Sequence, residues 1–371
     1  MDKEPVLSTI FAKFTGDEIL EEMGRLLYSL LSVFTTNGYQ VQLYDNIDFS
    51  KLDKYGQLVS AMTNLSLVAK VPDNPTRMFY LFDRDDKSCS HLRWRKKIQV
   101  KFDVFSIYRI SDPLIMPYPV HPFHSGPDLP ERLEMLRLNK KKVRIFFSGD
   151  TKGYTKNRIH YPTTKLPRLE VIDTILAKLG GETSYLTDEA ALTSLFAGDY
   201  VNNCVIVDSN RLRVNPADWL PYLSQSDFFI CPPGYCMPMC HNAVEAMAVG
   251  SIPIINYPEW FSPTLQHMEN CVVFGDKQDL VTKIQTVLAL PQQKVSAMRN
   301  SVLDYYESHL NPRTFIRQIE SRKGKKITVL MITDKNTVRN ASKLNARSIL
   351  ISGKPALANL SLFGFLGRLL R

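Results

Sequence analysis

Short apolar runs alternate with amphipathic stretches along most of this chain. Residues 7–14 form an apolar run and predict a strand. Thr15 and Glu18 follow with the spacing of a capping box. From there Ile19, Leu20, Met23, Leu26, Leu27, Leu30, Leu31 and Phe34 recur at helical spacing, and Gly38 stops the helix. Residues 41–44 supply the next strand. Strand, helix and strand in this order predict a parallel sheet with right-handed crossovers. Residues 57–68 then predict a helix, and residues 78–82 and 98–107 predict strands. The stretch 116–130 is punctuated by prolines, and residues 133–144, with Lys140-Lys141-Lys142, read as an exposed basic linker.

The alternation resumes at residue 143. Strands are predicted at 143–147, 204–207, 228–231 and 252–255, with helices at 169–179 and 217–223. Another helix follows the Pro/Gly loop at 232–234 and ends at Gly250. Residues 327–332 read as a late strand.

Composition narrows the class. The 371 residues suit two domains. With 44% hydrophobic residues, 19 Phe and 16 Tyr, the chain can bury sizeable cores, which excludes a mainly disordered protein. Only 17 glycines and no sustained heptads exclude collagen and coiled coil. No apolar run reaches the ~18 residues of a spanning helix, and residues 1–5 carry no signal-peptide pattern. Six cysteines sit mainly in apolar contexts. Cys231, Cys236, Cys240 and His241 lie close together but lack a C-x-x-C knuckle, so buried or loop thiols are expected and no metal. A cytoplasmic, reducing setting fits this cysteine usage. The net charge of +9 suits an anionic partner: nucleic acid, a phosphorylated substrate or an acidic membrane surface. Solubility charge is the plainer reading.

Candidate chemistry sits after the strands, because open parallel sheets bind ligands beyond their carboxyl ends. Asp17, Asp45 and the run Asp83 to Asp86 are candidates for a general base, or for ordinary capping and turn residues. His121 and His124 are candidate acid–base groups on a loop, or partly exposed structural histidines. After the strand at 143–147 comes a loop with Gly149, Lys152, Lys156 and Arg158. Small residues there admit backbone approach and cations neutralise a diphosphate, although hydrated surface loops share this composition. Pro232-Pro233-Gly234-Tyr235 feeds a helix whose N-terminal amides favour an anion. Glu245 lies four residues after His241 on one helix face. A carboxylate there can accept hydrogen bonds from vicinal ribose hydroxyls; the alternative is a generic βαβ unit with a solvent-facing Glu. Tyr257, Glu259, Trp260 and Phe261 could hold a sugar or form a packed loop.

Glu245-Ala246-Met247-Ala248-Val249-Gly250-Ser251-Ile252-Pro253-Ile254 resembles the donor-binding segment of GT-B glycosyltransferases, both the glycogen-synthase-like and the exostosin-like. Residues 226–234 and 270–274 look like its flanking strands, and residues 279–290 and 293–310 fall where these enzymes carry late helices. The likeness covers residues 143–319; the first half matches only in its β-α-β pattern. It implies an α/β fold of two Rossmann-like domains facing across a cleft. Residues 1–125 would form the acceptor-side domain, 126–142 a linker and 143–310 the nucleotide-sugar domain, with the tail 311–371 returning to the first.

The resemblance further implies Glu245 as the ribose carboxylate, and Lys152 with Lys156 or Arg158 as diphosphate cations. Gly234, Tyr235, His241 and Asn242 would line the base or phosphate. Retaining members carry a further Glu eight positions before the matching one, where this chain has Met237. An inverting enzyme would need a base in the first half: Asp17, Asp45 or His121, in that order. The expected activity is transfer of a sugar from a nucleotide-diphosphate donor to a glycan or lipid-linked glycan, without metal or cofactor. The apolar end, residues 357–371, suits a membrane interface or packing on the first domain; Gly364 and Gly367 favour packing. Competing readings are a nucleotide-sugar epimerase, a binding-only relative and a nucleic-acid-binding protein using the basic run Leu92-Arg93-Trp94-Arg95-Lys96-Lys97. No nucleic-acid-binding motif accompanies that run.

Overall fold

The computed structural model describes residues 8–102, 114–150, 166–234 and 238–334. Lys152, Lys156, Arg158, Tyr235 and the apolar tail lie outside the described residues. The chain divides into two compact units. One holds the described residues up to Pro117 and again from Pro312, and the other is Tyr118–Asn311.

The first unit contains β1 (Thr9–Lys13), β2 (Gln40–Tyr44), β3 (Leu65–Val68), β4 (Phe79–Phe82), β5 (Lys96–Lys101) and β6 (Leu114–Ile115). The second contains β7 (Val143–Gly149), β8 (Thr183–Leu186), β9 (Val201–Asp208), β10 (Ser226–Cys231), β11 (Ile252–Ile255) and β12 (Val272–Val273). A last strand, β13 (Lys326–Leu330), belongs to the first. The helices are α1 (Arg25–Thr35), α2 (Asp53–Ser60), α3 (Lys87–Ser90), α4 (Leu129–Arg137), α5 (Arg168–Lys178), α6 (Glu189–Ala197), α7 (Pro216–Ser224), α8 (His241–Ala248), α9 (Lys277–Ala289), α10 (Gln292–Tyr305) and α11 (Pro312–Ser321).

Each unit is a parallel α/β sheet, as the strand–helix alternation predicts. Among the described residues the first sheet runs β3-β2-β1-β4-β5-β13-β6 and the second β12-β11-β10-β7-β9-β8. In the second, Ile145, Phe146, Val205, Ile206, Phe228, Phe229 and Ile230 are wholly buried. Near-continuous apolar strands are what a parallel sheet covered on both faces requires.

The local expectations fail in instructive places. The helix expected from Ile19 is interrupted, and α1 starts only at Arg25. Met23 and Gly24 adopt φ of 60° and 83°, which no helix tolerates. The Thr15–Glu18 capping box does not form. The Thr15 and Gly16 amides donate instead to the Asp83 carboxylate at 3.0 and 2.6 Å, while Glu18 pairs with Arg84 at 2.8 Å. Residues 57–68 divide between α2 and β3, because Leu65–Val68 pairs in register with Val41–Tyr44 at the sheet edge. The stretch expected as a basic linker is α4 followed by β7.

The basic run near residue 94 is largely structural. Trp94 is buried and stacks on Phe11 and Tyr80, with ring centroids 5.5 and 4.8 Å apart. Lys97 donates to the Ser90 carbonyl at 2.6 Å. Buried Lys96 donates to the carbonyls of Ile319, Glu320 and Arg322 at 2.7, 3.0 and 2.9 Å. An ammonium at a helix's carboxyl end satisfies its orphan carbonyls and opposes its dipole. Lys96 therefore staples α11 to β5. Lys96→Met keeps the apolar stem but removes the donor, and is expected to destabilise the protein by about 2 kcal/mol in urea unfolding. An unchanged midpoint would mean that water satisfies those carbonyls equally well.

Candidate functional site

Strand order locates a crevice in each sheet by itself. In the second unit the chain leaves β7 toward β9 and β8, then returns to place β10 on the other side of β7. The carboxyl ends of β7 and β10 thus flank a topological switch point, where open α/β sheets bind ligands. Gly149 ends β7, and the Pro232-Pro233-Gly234 loop leaves β10.

Arg168, the first residue of α5, is buried at this edge. Its Nη1 donates to the Asp150 carbonyl at 3.0 Å, and its Nη2 lies 3.7 Å from Cys240 Sγ. A Cβ on Gly149 would stand 3.2 Å from the Phe147 ring and 3.4 Å from Arg168 Nη1. The glycine therefore lets the guanidinium sit close against the strand end. No motif marked Arg168 in the sequence. A usable signal was its position, since a cation at a helix N-terminus opposes the dipole and calls for a compensating acceptor.

Gly234 is buried, and its amide donates to the Pro238 carbonyl at 3.1 Å, closing the loop that feeds α8. Cys240 precedes α8 without a side-chain cap. His241 and Asn242, in the first turn, are half-buried. His241 Nδ1 donates to the Pro119 carbonyl at 3.1 Å, and its ring lies 5.4 Å from Tyr118 and 5.1 Å from His121.

Glu245 does not face solvent; it is 1% exposed. The His121 amide donates to its Oε1 at 2.8 Å and the Trp219 indole N–H to its Oε2 at 2.6 Å. Burial raises its pKa to about 7, and the two donors pull the other way. An ionised carboxylate offers about four acceptor positions, so two N–H donors leave room for two hydroxyls.

The other candidates fall in separate places. The Phe123 amide donates to His121 Nδ1 at 3.2 Å. Burial, with Arg132 beside it, pushes the His124 pKa down to about 4. Asp17 and Asp45 are exposed, at the carboxyl ends of β1 and β2 in the first unit. The Asp17 carbonyl accepts from Leu20, and the Asp45 amide donates to Val68, both at 3.0 Å. The buried carboxylate at that unit's own switch point is Asp83, whose oxygens also take the Arg84 amide at 2.7 Å. Glu259 is half-buried in the turn after β11. Tyr257, Trp260 and Phe261 are buried, and Tyr257 stacks on Phe261 with centroids 6.4 Å apart. These aromatic faces belong to the core and offer no platform for a sugar.

Among the described residues no group of three or more His, Cys, Asp or Glu could hold a metal ion, and no helix is long and apolar enough to cross a membrane. No protein-family model matches the sequence, and no curated protein matches it. Solved structures do resemble the chain. An alpha-glucosyltransferase in complex with UDP and DNA is 14% identical, with 85% of this chain and 99% of that one covered at a TM-score of 0.41. Anabaena HepE in complex with UDP is 11% identical, with 85% and 98% covered at a TM-score of 0.43. A glycosyltransferase from Rickettsia africae is 10% identical, with 85% and 97% covered at a TM-score of 0.42.

Proposed function

We propose that this chain is a glycosyltransferase that moves a sugar from a nucleotide-diphosphate donor to a hydroxyl of a glycan or lipid-linked glycan. The observation that carries this reading is the β7–β10 switch point, where a glycine-ended strand meets a buried arginine and the loop after β10 feeds the helix that holds the buried Glu245. In this reading Glu245 accepts the ribose hydroxyls. Gly149 and Gly234 admit the backbone close to the ligand, and Lys152, Lys156 and Arg158 neutralise the diphosphate. Tyr235, His241 and Asn242 line the base or phosphate, and Glu259 holds the donor sugar. The leaving diphosphate needs no metal if these cations and the α8 amides stabilise it. The acceptor hydroxyl loses its proton to Asp17, Asp45 or His121, in that order of preference. A membrane-peripheral setting suits residues 357–371 if the acceptor is lipid-linked.

The test is a thermal-shift screen of the full chain against UDP-, GDP-, ADP-, TDP- and CMP-linked sugars, each with and without magnesium. A ligand at a hundred times its Kd adds about 2.7 kcal/mol to native stability. One nucleobase series raising Tm without magnesium is the expected result. No shift with any donor would overturn the transferase reading.

A further inference from the structure

Among the described residues, the Glu245 side chain is held by two donors from elsewhere in the second unit. One is the main-chain amide of His121; the other is the indole of Trp219 on α7, at 2.6 Å. Trp219 is half-buried and meets Phe229 of β10 edge-on, with ring centroids 5.7 Å apart and planes at 85°. That contact fixes the indole's plane, and the fixed plane aims its N–H. A buried carboxylate without donors protonates and turns from acceptor to donor. We infer that Trp219 is a positioning residue, whose indole N–H keeps the Glu245 carboxylate ionised and oriented so that its free lone pairs accept the ribose diol. The inference rests on the reading of Glu245 as the ribose acceptor.

Burial is the largest influence on Glu245, and the His121 amide and the Trp219 indole oppose it. Other ionisable groups lie on the packed elements. His121 and His124 precede α4, His241 opens α8, and Asp218 is exposed on α7. Toward the carboxyl end of α8, Arg137 donates to the Ala248 carbonyl at 2.8 Å and pairs with Glu307. Asp227 in β10 is paired with Arg144 and Arg299. His309 lies in the turn after α10.

The test compares wild type, Trp219→Phe, Glu245→Gln and the double variant. Phenylalanine keeps an aromatic face toward Phe229 and removes the N–H together with the pyrrole ring, and the Glu245→Gln background separates the loss of volume from the loss of the donor. Without ligand, melting is followed from pH 4.5 to 9. Glu245 has a folded pKa of about 7 against an ordinary 4.5, so the folded chain holds the extra proton between these values. Stability measured against Glu245→Gln should therefore fall as pH rises through that window and level above it. In Trp219→Phe the fall should continue about one pH unit higher. In the Glu245→Gln background the Trp219 change should leave the profile's shape unaltered. An unmoved midpoint, or the same shift in both backgrounds, would overturn the positioning role.

The second arm is titration of UDP, ADP and GDP into the same proteins. The nucleotide that binds should lose about 10-fold in affinity in Trp219→Phe at pH 7, and less at pH 9. A loss that is equal at both pH values would overturn the proposal. Failure of wild type to bind any of the three would count against the ribose reading, and the melting arm would still decide whether Trp219 sets the state of Glu245.

Discussion

Asp227→Ala is expected to destabilise the second unit by about 3–5 kcal/mol, the largest effect of any substitution considered for stability. Asp227 is fully buried in β10. Its carboxylate pairs with Arg299, lies 3.6 Å from Arg144 and accepts the Tyr200 hydroxyl at 2.8 Å. Arg144 is itself buried, and donates onward to Asn202 at 2.9 Å and to the Leu290 carbonyl at 3.2 Å. Alanine would leave two guanidinium groups facing one another without the anion between them. Lys141 adds to the imbalance. Burial, with Arg299 nearby, pushes its pKa down to about 7, and Asp227 is the group that opposes this. The variant should therefore release a proton from Lys141 near neutral pH as well as lose stability. Urea unfolding and proton uptake on denaturation would measure both. A loss below about 1 kcal/mol would show that water replaces the carboxylate and that the network is not a structural centre of this unit.

The largest expected effect on ligand binding belongs to Glu245. Glu245→Gln is expected to weaken binding of the matching nucleoside diphosphate about 100-fold, with the fold retained. Two charge-assisted hydrogen bonds to ribose at about 1.5 kcal/mol each account for that factor. Glutamine keeps one carbonyl acceptor but turns an amide toward a neighbouring donor. A 2′-deoxy nucleotide supplies the control: it should bind wild type more weakly than its ribo counterpart, and the variant should barely distinguish the two. Because burial raises the Glu245 pKa to about 7, wild-type affinity should decline as pH drops below that value. Calorimetry on the folded variant reads each of these. Undiminished affinity in Glu245→Gln would remove the ribose assignment.

What the sequence revealed and what it concealed follow from the range of the interactions. Ile252–Ile255 is legible because a buried parallel strand is continuously apolar and Gly250, at φ 76°, stops the helix before it. Leu65–Val68 is not. It lies at a sheet edge, where half its side chains meet water, and its Leu-Ser-Leu-Val pattern extends the helix before it without a break. Thr183–Leu186, at the edge of the other sheet, is concealed for the same reason. The position of Glu245 in α8 could be read from local spacing, but its environment could not. One donor comes from 124 residues away and the other from 26, and neither separation leaves a local signature. Asp83 shows the converse case. It was one acidic residue in a polar loop, yet it takes the Thr15 amide that the capping box was expected to use, and the Gly16 amide beside it.

The place of β13 has a consequence for how the protein is made. It pairs with β5 on one side and β6 on the other, and it is the last described strand to be translated. The second unit is continuous in the chain, so it leaves the ribosome complete while the first still has an open edge along β5. Domains fold as units during synthesis, and an unpaired strand edge invites association with other chains. The nascent protein therefore matures from its middle outward: the sheet of the second unit first, and the sheet that was started first only when its last strand arrives.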